Sequence, residues 1–417
     1  MTTEDLFRSS ELASLGVSRA GSQADAIDGV VPRLVIEPAT AQQVADTLSW
    51  ASRERLRTVI RGGGTKQGWG PRPAAVDLVI SLARLNRLVA HRHGDLTATF
   101  EAGATLLAME AALARERQWL PIDSAFADAT IGGIVATNDA GPLRHRHGTP
   151  RDLLIGVTLA LTDGRLVKSG GHVVKNVAGY DLGKLVSGSY GALAAVVDAT
   201  FKLAPIPAAS RTIVARYDDA ETLARDVVTL AAGQVEPTAF EVNVSLGSTP
   251  GFTLYLRIAT SPAAVDVQAA TVGSMVAVPV RTVSGDEERA LWESHVRRPW
   301  DERGVLIRMS WLPASLSAVI AVLTELQGAA AIELTARAAV GTGLLRVDAG
   351  DDAALVAIER LRARRDVVGN VVVLRASAAL KSRLDVWGAR NEMGSVVASL
   401  KRTFDPAGIL NAGRGPL

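Results

Sequence analysis

A β-type run, Thr58 to Ile60, passes with no turn residue between into Arg61-Gly62-Gly63-Gly64-Thr65-Lys66. Three glycines in a row lack the Cβ atoms that keep backbone segments apart, so successive N–H groups can turn toward one anion. Phosphate or pyrophosphate is the natural guest of such a loop, and a plain flexible turn is the competing reading. The loop is not a Walker A loop, because Gly63-Gly64-Thr65-Lys66 lacks the four-residue spacer. Nor is it the Gly-x-Gly-x-x-Gly turn expected after a first strand.

A glycine triplet can hold a ligand only if a rigid framework holds the triplet. The flanking sequence supplies one by alternating short strands with helical patterns. Leu34 to Ile36 reads as a strand, and Thr40 as the N-cap of a helix whose Val44, Leu48 and Ala51 share a face. Leu96, Ala98 and Phe100 alternate with polar residues, and Thr105 opens a helix with Leu106, Met109 and Leu113. Leu153–Leu161 and Leu166–Lys168 flank Asp163-Gly164, a hairpin signal. Pro205 and Pro207 then read as a linker. From Arg211 to about Arg375 the order is strand 212–215, helix 220–232, strands 240–244 and 253–258, helix 262–275 and strand 276–280. It partly repeats through strand 305–309, helix 316–326, strands 332–334 and 344–347, helix 353–362 and strand 371–374. Two such sets suggest one antiparallel sheet covered by helices on one face.

At 417 residues and 48% apolar composition the chain is long enough for two domains. Its 45 basic and 43 acidic side chains are scattered without a run of five, which argues against nucleic acid as a partner. The absence of cysteine excludes disulfides, thiol catalysis and any Cys-ligated iron–sulfur cluster on this chain. No apolar stretch approaches the roughly 20 residues of a transmembrane segment. Residues 1–15 carry Glu4, Asp5, Arg8 and Glu11 in place of an apolar signal core, so the expected location is cytoplasmic.

Thr130-Ile131-Gly132-Gly133, followed by Ala136-Thr137-Asn138, is a second glycine-bearing turn, after which a helix begins. A set of free N–H groups there would favour a phosphate; close helix packing on a strand is the alternative. Gly188-Ser189-Tyr190-Gly191 is a third. Three such loops in one domain fit a long cofactor that touches several turns.

This ordered set, with Gly141, Tyr180-Asp181-Leu182 and Gly188-Ser189-x-Gly191, resembles the FAD-binding domain of the vanillyl-alcohol-oxidase or PCMH type. Val174-Lys175-Asn176-Val177-Ala178-Gly179-Tyr180, Gly141-Pro142-Leu143-Arg144 and Arg151-Asp152 narrow the resemblance to the FAD-binding E subunits of bacterial glycolate oxidases. The closing Phe404-Asp405-Pro406-x-Gly408-Ile409-Leu410-Asn411-Ala412-Gly413-Arg414 is similar to the last segment of the same flavoproteins. Tyr190, Ala194 and Ala412 depart from the Glu, Gly and Pro usual there.

The resemblance implies an α+β fold. Residues 1–206 form a PCMH-type FAD-binding domain of two α/β subdomains, 207–385 an antiparallel-sheet cap with helices on one face, and 386–417 a segment returning to the FAD domain. It implies FAD on Arg61, Gly62, Gly63, Gly64, Thr65 and Lys66, on Thr130, Ile131, Gly132, Gly133, Thr137, Asn138 and Gly141, and on Lys175, Gly188, Gly191 and Asn411. The adenine end is expected near Ala195 and Val196. Thr65 stands near the position where tethering relatives have His, so FAD is expected to be non-covalent.

The catalytic residue is not fixed by the sequence. The candidates are Lys175, whose cation suits an anionic reduced flavin, and Arg308 and Arg346, charges inside strand-like runs that need a substrate carboxylate or an internal acid as partner. His91-Arg92-His93 and His145-Arg146-His147 lack a nearby carboxylate triad, so no metal is expected. The resemblance further implies oxidation of a small 2-hydroxy acid such as glycolate to glyoxylate. Electrons would pass to two partners of a glycolate oxidase complex, the catalytic flavoprotein or D subunit and the iron–sulfur or F subunit. Those partners would hold the chain peripherally at the inner face of a membrane. An accessory FAD-binding role without its own turnover and a stand-alone FAD-linked oxidase stay open beside that reading.

Overall fold

The computed structural model describes residues 10–173, 179–247, 250–301, 303–326, 331–388 and 394–416. The chain divides into two units, Met1–Ala140 with Thr149–Ile206 and Arg390–Leu417, and Gly141–Gly148 with Pro207–Ala389. The sequence reading places Gly141–Gly148 in the first domain. The segment groups with the second unit, because His145 packs edge-on against Phe240 at 5.7 Å and Arg146 pairs with Glu236 at 3.0 Å. The reading also ends the second domain at residue 385, yet Val386 is buried in the second core and its carbonyl accepts from the Val373 amide.

In the first unit, β1 (Val17–Ala20), β2 (Leu34–Glu37), β3 (Thr58–Arg61) and β4 (Leu78–Ser81) form a sheet of order β1-β2-β4-β3. β2, β4 and β3 run parallel and β1 antiparallel. Leu34, Ile36, Leu78 and Ile80 bury on one side and Val35, Val59 and Val79 on the other. Burial on both faces explains why these strands read as unbroken apolar runs. The helix Ala41–Arg53 crosses between β2 and β3, its Gln43 amide donating to the Thr40 hydroxyl. A second, antiparallel sheet comprises β5 (Leu88–Arg92), β6 (Thr97–Glu101), β8 (Leu154–Ala160), β9 (Leu166–Gly170) and β10 (Ala195–Lys202), in the order β5-β6-β10-β8-β9. The linker strand β11 (Ala204–Pro205) pairs with β7 (Gln118–Trp119). β3 is an edge strand with Leu410 bridged alongside, and its carboxyl end enters the glycine triplet. Sites in open parallel sheets form beyond such carboxyl ends.

The second unit is one eight-stranded antiparallel sheet of β12 (Ala209–Tyr217), β13 (Ala239–Leu246), β14 (Gly251–Thr260), β15 (Val280–Val283), β16 (Val305–Ser310), β17 (Ala331–Arg337), β18 (Thr342–Asp348) and β19 (Val371–Arg375). Its order, β15-β12-β14-β13-β17-β18-β16-β19, is two βαββαβ halves joined through β13 and β17. The strand expected at 276–280 starts instead at Val280, since Pro279 has no N–H to donate to a ladder. Helices Ala220–Ala232, Pro262–Met275, Leu316–Leu326 and Asp351–Ala363 share the core face with Ile213, Val242, Leu254 and Ile307. A fifth helix, Gly285–Asp301, joins the halves across the opposite face, with Trp292 Nε1 donating to the Thr212 hydroxyl and His295 against Glu241. The expectation of helices on one face alone is corrected to this extent.

Candidate functional site

Beyond β3, the glycine triplet, the helix Ile131–Thr137 with its N-cap Thr130, the Ser189–Val196 segment and the C-terminal Asn411 and Arg414 enclose a groove. Its two lobes share Ile60, Gly62, Gly133, Ala136 and Tyr190. The walls approach so closely that side chains are excluded. A Cβ on Gly63 would lie 1.9 Å from the Asp128 carbonyl oxygen, one on Gly62 2.0 Å from Thr130 Oγ1, and Gly64 turns with φ +74. These glycines are therefore required by the protein's own packing, which in turn brings their amides to the groove.

The hydrogen-bond accounting shows what those amides can do. Among the described residues, nothing accepts from the amides of Gly62, Gly63, Gly64, Thr65 or Lys66. Five consecutive donors thus edge a groove that Thr130 Oγ1 also lines, buried and without a hydrogen-bond partner. A buried hydroxyl in that state costs about 1–3 kcal/mol until an acceptor arrives. Donors of this density fit a pyrophosphate. The second turn is less open than expected, since the Ile131 and Gly132 amides already donate to the Ala104 and Ala102 carbonyls.

Of the residues singled out by sequence, Gly62, Gly63, Gly64, Thr65, Lys66, Thr130, Gly132, Gly133, Thr137, Gly191, Ala195, Val196 and Asn411 line the groove. The others do not. Arg61 turns to Asp25 at 3.0 Å, Ile131 is buried in the core, Asn138 Oδ1 accepts from the Arg151 amide, and the Gly188 amide donates to Val135. Gly141 belongs to the second unit, and Lys175 lies outside the described residues.

Sequence reasoning missed Arg414 and Trp69. Arg414 is 3% exposed and donates to the carbonyls of Gln67, Trp69 and Pro71 and to Asn411 Oδ1. Burial pushes its pKa down to about 10. Asn411 in turn donates to the Tyr190 carbonyl and, through its amide, to Thr58. A terminal Gly-Arg after an apolar run was the available signal, but its carbonyl partners sit more than 300 residues away in sequence.

In the second unit, Arg346 is buried and pairs with Glu333 at 3.0 Å. Burial alone would raise the Glu333 carboxyl, but hydrogen bonds from Arg346 and Arg298 hold it below its usual range. Arg346 is thereby an internal ion-pair partner. Arg308, expected to be buried, is half-buried and makes no ion pair among the described residues, because Val305, Ile307 and Met309 take the core face and Arg308 the other. Across the strands it lies in one row with Leu344, Thr335, Asn243 and Thr253.

Comparison with known proteins agrees with the groove's chemistry. Residues 32–170 match the FAD binding domain family. The chain is 32% identical to glycolate oxidase subunit GlcD of Bacillus subtilis, over 51% of this chain and 45% of that protein. It is 32% identical to a D-lactate dehydrogenase of Archaeoglobus fulgidus over 41% and 39%, and 33% identical to glycolate oxidase subunit GlcE of Escherichia coli over 42% and 49%. It spans less than half the length of each of these relatives. Alkyldihydroxyacetonephosphate synthase shares the fold, with TM-score 0.70 at 15% identity over 92% of this chain and 76% of that one. The first unit thus has the PCMH-type FAD-binding fold, and its cofactor is FAD.

Proposed function

We propose that the chain is an FAD-linked oxidoreductase that oxidises a small 2-hydroxy acid, glycolate to glyoxylate, as the FAD-binding subunit of a glycolate-oxidase-type complex. The observation that carries its FAD-linked character is the run of five amides, without an acceptor among the described residues, on the groove that Thr130 Oγ1 also lines. FAD, when bound, supplies the two-electron chemistry. The amides of Gly62 to Lys66 and the Thr130 hydroxyl would hold its pyrophosphate. Thr65 stands where tethering relatives have His and offers no imidazole for a tether, so FAD is held non-covalently and should leave with the supernatant when the protein is precipitated with acid. Arg308, half-buried opposite Leu344 and without an ion pair among the described residues, suits a substrate carboxylate.

The names of the relatives support a 2-hydroxy acid as substrate and glycolate oxidase as the setting; the partners we propose in that setting are a catalytic flavoprotein subunit and an iron–sulfur subunit. Since this chain has no cysteine, one-electron transfer onward would use an iron–sulfur centre of the partner. The test is anaerobic addition of glycolate and D-lactate to the purified chain while flavin bleaching is followed. Bleaching by either acid supports turnover on this chain. A flavin that neither acid bleaches, in a chain still required for activity after partners are added, would favour the accessory role.

A further inference from the structure

Lys66 closes the glycine loop, and its side chain is only 6% exposed. Its Nζ lies 2.9 Å from Asp139 Oδ2, which also takes a hydrogen bond from Ser124 Oγ at 2.9 Å. The ammonium stands 4.9 Å from the centre of the Phe126 ring and 5.9 Å from that of Trp69. Three stretches of chain meet here. One is the glycine loop with Trp69, another is Ser124 to Phe126, which leads to the Asp128 carbonyl closing on Gly63, and the third is Asp139, just past the helix Ile131–Thr137. Neither charge tolerates solitary burial, so each fixes where the other's segment sits. The aromatic faces hold the cation by their quadrupoles and shield the pair from water.

We infer that Lys66 serves FAD as a positioning residue. Its charge is matched by Asp139, and the pair locks the glycine loop against the Ser124–Asp139 wall so that the loop amides, not the ammonium, receive the pyrophosphate. This rests on the assignment of FAD to the groove, and it differs from the expectation that a lysine in a phosphate loop neutralises phosphate directly.

The experiment is titration of FAD-free protein with FAD, read by flavin fluorescence, for wild type, Lys66→Met, Asp139→Asn, Lys66→Arg and the double variant Lys66→Met/Asp139→Leu. If the pair positions the loop, Lys66→Met and Asp139→Asn each weaken FAD binding about tenfold or more, because each strands a buried charge. The double variant recovers most of that loss, Lys66→Arg binds close to wild type, and Lys66→Met leaves the salt dependence of binding unchanged. Asp139→Asn binding as tightly as wild type or tighter would overturn the inference, since it would mean that the freed ammonium reaches the phosphates. A double variant no better than Lys66→Met would also overturn it. Should the single variants not fold, a double variant and a Lys66→Arg variant that both bind FAD would still support it, and failure of both would overturn it. A wild-type chain that takes up no FAD would instead remove the cofactor assignment, and the inference with it.

Discussion

Gly63 is held between the groove and the Asp128 carbonyl, where no side chain fits. Gly63→Val should therefore push the loop off its seat and leave purified protein with less than about a tenth of the wild-type flavin absorbance per chain, while its circular dichroism is retained. Full flavin content in that variant would mean that the loop does not form the cradle. The two arginines of the second unit make opposite predictions. Arg308→Met removes a cation with no ion-pair partner among the described residues, so substrate-dependent flavin reduction should lose about 1.5–3 kcal/mol with FAD content intact. Arg346→Met takes one of two guanidiniums from Glu333 and should lower thermal stability by about 1–3 kcal/mol, leaving flavin reduction per bound FAD unchanged. Reversal of these two outcomes would exchange the roles assigned to them.

The helix Leu106–Leu113 carries a pH dependence of its own. Burial, with Asp123 adding to it, pushes the Glu110 carboxyl up to about 7 from an ordinary value of 4.5. A carboxyl raised in the folded state favours folding while protonated in both states, and the benefit is lost as pH climbs from about 4.5 to about 7. Glu110→Gln should thus melt higher than wild type at pH 8 and alike at pH 4.5; equal melting points at both would show a solvated Glu110. At this scale the sequence was readable where burial is apolar and periodic. Leu34 to Ile36 and the Thr40 cap lie where the sequence puts them, and Ala98 and Phe100 are in the core, but Thr97, Thr99 and Glu101 are buried as well, so the half-buried strand that their alternation suggests is buried on both faces. The helix Gly285–Asp301 escaped notice because its buried residues are Glu288, Trp292, His295 and Pro299, which leave no apolar stripe to detect. Likewise the glycine loop was legible as a candidate phosphate loop, but nothing local revealed that Arg61 turns to Asp25 or that the Ile131 and Gly132 amides are already engaged. Those facts depend on partners far along the chain.

On the scale of the molecule, the first unit is written in pieces on either side of the second. Its groove is complete only with the segment that runs beside β3 and ends in Asn411 and Arg414. Deleting residues 411–417 removes the donors to the carbonyls of Tyr190, Gln67, Trp69 and Pro71 and should abolish FAD retention on gel filtration while leaving the second unit folded; retention would show that this wall is dispensable. Lys401 strengthens the same junction by donating to the Ala192 and Leu410 carbonyls and pairing with Asp405 at 2.6 Å. The order of synthesis then imposes a delay. A ribosome making this chain exposes the glycine loop early, translates the whole second unit, and only afterwards supplies the strand-side residues that shut the groove. FAD capture therefore has to follow translation of the second unit, and a ribosome stalled within that unit holds a nascent first unit that cannot yet keep flavin.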